Sequence, residues 1–172
     1  MSEIKVIYQS DLTISLKLAA KMEKERMAIL LNESFDETPQ RFVNNLTKNT
    51  YVRPHKHTLP DQWELMSWLA GEIEALAFTE EGILYERYIL SADEVKIIEF
   101  KPGLIHSFLT HSSGSYLEVR NCAYNPKIDR EYAAWAPTEG SVDAAAFLEI
   151  LKALKFGENV KDYYSCPIKV NS

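Results

Sequence analysis

The chain has 172 residues, 46% hydrophobic and 26% charged, which fits one globular domain with a core of its own. Its net charge of −6 argues against a nucleic-acid binder and against an anionic membrane surface. No apolar run approaches the roughly 20 residues that span a bilayer, and the opening MSEIKVIYQSDL lacks the basic-then-apolar pattern of a secretory signal. Cys122 and Cys166 are too few and too far apart for a disulfide framework. The expectation is a cytoplasmic protein with two incidental thiols.

Three zones follow one another. Residues 1–48 read as a helical extension that packs on the rest. SDLTISLKLAAKMEKERMAILLN starts with Ser10 and Asp11 as capping candidates and spaces Leu12, Leu16 and Ala19 or Ala20 near a helical period. After the Thr38-Pro39 break a short turn carries Phe42, Val43 and Leu46. Residues 49–125 are rich in Val, Ile, Tyr, Phe and Trp, with short strands between turn residues, the pattern of an antiparallel barrel or sandwich. EIEALAFTEEGILYERYIL reads as a hairpin with strands 72–78 and 83–90 around Thr79–Gly82. EVKIIEFKPGLIHSFLTHSSGSYLEVRNC repeats the theme, with turns at 101–103 and 112–114. Residues 126–172 return to loop, helix and an irregular tail. In SVDAAAFLEILKALKF, Ser141 is the expected N-cap, Gly157 lies just past the end, and Phe147, Leu148, Leu151 and Leu154 form the buried stripe.

The residues that carry chemistry are concentrated. The chain has four histidines, and three fall into two short motifs: His55 and His57 in YVRPHKH, and His106 in KPGLIHSF. Alternate residues of a strand share a face, so Tyr51, Arg53, His55 and His57 are expected to point one way. The Pro102-Gly103 turn lets the chain bring His106 back towards that pair. Glu64, opening the next strand, supplies a carboxylate. Three imidazoles and a carboxylate suit one divalent first-row ion, Fe, Mn, Ni, Co or Zn, with positions left for water or substrate. Whether Glu118 and Arg120 or Leu117 and Val119 face inward is open from the alternation alone. If the polar pair does, Glu118 is a proton-transfer candidate and Arg120 a substrate clamp. Arg53 is either an anion-binding and catalytic residue or a rim ion pair. Phe108 shares the face of His106 and is expected in the pocket wall, with Tyr116 as core or wall. His111, Gln40, Arg41, Trp63, Trp68 and Trp135 read first as solvated or packing residues.

His55-x-His57, Glu64 and Gly71 resemble the first motif of the cupin superfamily, with a longer gap before Glu64 than is usual there. Pro102-Gly103-x-x-His106 resembles the second, with Thr110 where asparagine often stands. Over about residues 30–148, ESFDETPQRFVNNL, TYVRPHKH, WELMSWLAGEIEALAF, YLEVRNCAYNP and REYAAWAPTEGS together resemble the WbuC family of cupin-fold metalloproteins. The resemblance implies a mainly β, antiparallel jelly-roll barrel with N- and C-terminal helical additions, one metal ion, and a homodimer. It also implies work on a small oxygen-rich substrate, a sugar or nucleotide-sugar, in bacterial surface-polysaccharide metabolism. The residues leave the reaction open between an isomerase, epimerase or lyase step at a Lewis acid and non-haem iron oxygenation. A non-catalytic module binding a carbohydrate or small acid is the alternative. A purely structural metal is the least attractive, since a barrel of this size buries enough apolar area to fold without one.

Overall fold

The computed structural model describes residues 4–163, so Cys166 and most of the expected tail lie outside the described residues. The first element is a helix, α1 (Gln9–Ala19), which buries Leu12, Ser15 and Ala19 on one face. Helical character ends there, short of the expected extension through residue 48. The chain instead forms β1 (Arg26–Leu30) and β2 (Gln40–Thr47), paired antiparallel with Arg26 opposite Leu46. In β2 the asparagines at 44 and 45 weaken the local strand signal. Pairing along the whole length of a neighbour outweighs that local preference: Gln40 to Thr47 run opposite Arg120 to Ser113.

The remaining strands are β3 (His55–Lys56), β4 (Glu64–Gly71), β5 (Ile73–Phe78), β6 (Leu84–Leu90), β7 (Ile97–Phe100), β8 (Ile105–Leu109), β9 (Ser113–Arg120) and β10 (Glu131–Tyr132). They form two five-stranded antiparallel sheets in the orders β1-β2-β9-β4-β7 and β10-β3-β8-β5-β6. This is the mainly β, jelly-roll arrangement expected from the sequence. The β5–β6 hairpin also forms as read, around the turn at residues 79–82. The second expected hairpin does not form. β7 pairs with β4, β8 with β5 and β3, and β9 with β2 and β4, so both turns carry the chain from one sheet to the other. Turn residues mark where a chain reverses and carry no information about its partner.

Two glycines allow close approaches here, Gly71 of β4 towards β9 and Gly114 of β9 towards β5. Gly71 has φ +69°, and a Cβ there would stand 2.2 Å from the Ser113 carbonyl oxygen. At Gly114 a Cβ would meet Ile73 Cδ1 at 2.4 Å. Bare backbone is the only fit at both positions.

The closing helix, α2 (Ala144–Ala153), buries Phe147, Leu148 and Leu151 against Tyr51, Phe78, Trp135 and Leu154. Each such side chain removed from water contributes about 1.5–3 kcal/mol. Its N-cap is Asp143 rather than Ser141, whose carbonyl instead accepts the Ala144 N–H one turn earlier. Arg87 of β6 ties the other end down. Its Nη2 donates to the Leu151 and Leu154 carbonyls, both at 2.8 Å, and its Nη1 pairs with buried Glu74. Among the described residues no helix is long and apolar enough to cross a membrane.

Candidate metal centre

The two sheets each bring ligands to the space between them. β3 and β8 lie side by side with His55 directly opposite His106, so their rings come within 4.6 Å of one another. His57, just past β3, adds a third ring 5.2 Å from that of His55. From the facing sheet the first residue of β4, Glu64, directs Oε2 to 2.8 Å from His106 Nε2 and 3.5 Å from His57 Nε2. All four residues are buried, and one ligand atom from each lies within 4.8 Å of the others.

The outer nitrogens decide what the inner ones can do. His55 Nδ1 lies 2.8 Å from the Arg53 carbonyl, His106 Nδ1 2.9 Å from the Leu104 carbonyl, and His57 Nδ1 2.5 Å from the Asp129 carbonyl. A carbonyl only accepts, so each Nδ1 carries a proton, and in the neutral imidazole each Nε2 then presents a lone pair to the centre. Burial, then the neighbouring His106 and Arg130, push the His55 imidazole well below its usual pKa, which keeps it neutral. His57 Nε2, His106 Nε2 and Glu64 Oε2 are all buried without a hydrogen-bond partner. The 2.8 Å approach of His106 to Glu64 is close but is not aligned as a hydrogen bond. Lone pairs and a carboxylate converging with no proton between them fit a cation, and bonds of about 2.0–2.2 Å suit this spacing.

A cavity of about 130 Å³ opens beside His55 and Glu64. Alternate residues of β2 (Phe42, Asn44, Leu46) and β9 (Tyr116, Glu118, Arg120) line one wall, and Phe108 of β8 the other. The question left open by the alternation in β9 is answered: the polar set faces inward, while Leu117 and Val119 are half-buried on the far side. Glu118 accepts from Asn44 Nδ2, and its Oε1 lies 3.1 Å from Arg120 Nε. Burial pushes the Glu118 carboxyl well up, and the charge on Glu64 adds to this against the pull of Arg120. Burial alone would raise Glu64 as well, but the proton of the neighbouring Glu118 carboxyl outweighs it and holds Glu64 well below the usual carboxylate range. Of two carboxyls forced together, the one beside the histidines keeps the charge.

Arg53 is not part of the cavity wall. Residues 51–54 are not strand, because β3 starts only at His55, so the alternation that placed Arg53 beside the histidines does not extend back to it. Its guanidinium sits 4.7 Å over the Tyr132 ring and reaches Thr138 Oγ1 at 3.5 Å. Tyr51 belongs to the apolar cluster under α2. His111 is half-exposed, with Nε2 2.9 Å from Glu74 Oε1. Gln40 is buried and donates to the carbonyls of Ser34, Phe35 and Glu37, and Trp135 packs on Phe78 and Phe147.

Four residues of the site escaped the sequence reading: Arg26, Asn44, Asp129 and Arg130. Asp129 is the most connected. Its carbonyl accepts from His57 Nδ1 and from Gln62 Nε2, and its buried carboxylate accepts from Arg120 Nη1 at 2.8 and 2.9 Å and from Arg130 Nε and Nη2. The DR pair in NPKIDREY was the available signal, but nothing in its spacing links it to residues 57 or 120.

A family model described as a domain of unknown function (DUF6016) matches residues 7–90, just under half of the chain. No curated protein matches the sequence. Among solved structures the chain is similar to CapF bound to the inhibitor 3-isopropenyl-tropolone, with TM-score 0.51 and 14% identity over 61% of this chain and 31% of that one. The jelly roll is a cupin fold. At this identity the likeness extends to the fold alone, and the chain spans less than a third of the CapF it matches. Oxalate oxidase in complex with the substrate analogue glycolate matches at TM-score 0.49 and 14% identity, over 66% of this chain and 57% of that one. A Shewanella oneidensis protein matches at TM-score 0.49 and 17% identity, over 61% and 72%.

Proposed function

We propose that this is a metal-dependent cupin of the WbuC type, with one divalent ion held by His55, His57, Glu64 and His106, acting on a small oxygen-rich substrate in the adjoining cavity. The observation that supports it best is the set of three Nε2 lone pairs, each fixed by an Nδ1 hydrogen bond to a carbonyl, converging with a charged carboxylate. A divalent ion bound there supplies Lewis acidity or, if iron, dioxygen chemistry. The protein's own groups do the rest. Phe108 and Tyr116 give the cavity apolar walls that limit water. Glu118 stands on the wall beside Glu64, where a carboxyl held by Asn44 can give a proton to, or take one from, a bound oxygen. The place in surface-polysaccharide metabolism rests on the WbuC resemblance.

The test is to incubate metal-loaded protein with sugars, sugar acids and nucleotide-sugars and to look for product by mass spectrometry, with His57→Ala alongside. Product from the wild type alone is expected. Equal turnover by metal-free His57→Ala would sink the proposal, and binding without product under all metals and oxygen conditions would favour a carrier.

A further inference from the structure

Three arginines border the cavity, Arg26, Arg120 and Arg130. Arg26 is committed elsewhere: its Nη1 donates to the Tyr51 carbonyl and its Nη2 to both oxygens of Glu139. Arg120 and Arg130 grip the same carboxylate, that of Asp129, so two guanidiniums are held together by one negative charge. Their donors are not exhausted. Arg120 Nε is buried without a hydrogen-bond partner, since Glu118 at 3.1 Å is out of line. Among the described residues Arg120 Nη2 and Arg130 Nη1 meet no acceptor. The Arg120 side chain is 5% exposed, so donors left open there are costly unless a ligand takes them.

The charge count points the same way. The three guanidiniums face three carboxylates, Glu64, Asp129 and Glu139. A divalent ion at the histidines therefore leaves the cavity positive, whether Glu118 is charged or neutral. A neutral polyol would leave both the charge and the open donors unanswered, whereas planar guanidiniums pair well with a carboxylate.

We infer that the cavity selects a small hydroxycarboxylate over the corresponding neutral polyol, and that Arg130, beside Arg120 on Asp129, is the residue that reads the acid group. This rests on the metal-site reading for the positive charge, and it narrows the oxygen-rich substrate to an acid. Arg130 is the accessible member of the pair, with 24% of its side chain exposed.

The experiment uses full-length protein loaded with zinc, with zinc measured in every sample, and titrates glycerate and glycerol by calorimetry. The two probes share a three-carbon skeleton and differ in the acid group. The wild type is expected to bind glycerate roughly tenfold or more tightly than glycerol, the scale of one charge-assisted hydrogen bond. Arg130→Gln is expected to bring the two within roughly threefold while zinc content and melting temperature hold, and Arg130→Lys to restore part of the preference. Equal binding of the two probes, no binding of glycerate, or a preference untouched by Arg130→Gln overturns the inference. Failure of the metal reading shows separately, as absent zinc. In that case a glycerate preference that vanishes in Arg130→Gln still supports the arginine assignment, and no preference overturns it.

Discussion

The ring of His57 and the backbone of Asp129 are joined by a 2.5 Å hydrogen bond from Nδ1 to the carbonyl oxygen, across 72 positions of sequence. One residue of the loop between β9 and β10 therefore orients the His57 ring with its main chain while its side chain holds Arg120 and Arg130. Asp129 thus links the candidate metal site to the arginine wall.

Asp129→Ala breaks that link. It leaves Arg120 buried without its carboxylate, a change expected to cost about 3–5 kcal/mol of stability. It also loosens the His57 support, which is expected to weaken metal affinity by roughly 10- to 100-fold. Denaturant unfolding and competition against a chelator measure the two effects. A variant with wild-type stability and metal affinity would show that the loop is a bystander.

Gly71→Ala tests the close approach of β4 and β9. The positive φ and the 2.2 Å contact with the Ser113 carbonyl both oppose a side chain, and a loss of about 2 kcal/mol or more is expected. Unchanged thermal stability would mean that the strand ends can part freely.

Acid should expose the Arg26–Glu139 pair. Burial would raise the Glu139 carboxyl, but Arg26 and Lys24 outweigh it and hold the value below the ordinary 4.5. A carboxylate whose pKa is lower folded than unfolded stabilises fully above the unfolded value, and that contribution is lost as pH falls through the folded one. Glu139→Gln should therefore be less stable than wild type by about 1 kcal/mol at neutral pH, and the gap should close below pH 4.5. A gap that stays constant down to the acid limit would contradict the assignment.

The histidines were legible because ligand spacing is local: His55 and His57 lie two positions apart, and the Pro102-Gly103 turn announces His106. The strands of residues 64–120 were legible for the same reason, through alternation and turn residues. Arg53 misled because alternation was carried past the end of a two-residue strand. Asn44, Asp129 and Arg130 could not be reached this way. Asn44 meets Glu118 only because β2 pairs with β9, a contact 74 residues apart that no short motif encodes. The sheet position of β2 was hidden behind two asparagines and a neighbouring helix pattern.

The central claim is the ion itself. Untagged protein prepared without chelators should carry close to one equivalent of a divalent metal by elemental mass spectrometry. Glu118→Gln, whose carboxyl lies outside the four-ligand cluster, should carry the same amount, while Glu64→Gln should hold it weakly and His55→Ala/His57→Ala not at all. Metal absent from the wild type even after reconstitution, or retained by the double histidine variant, would contradict the account.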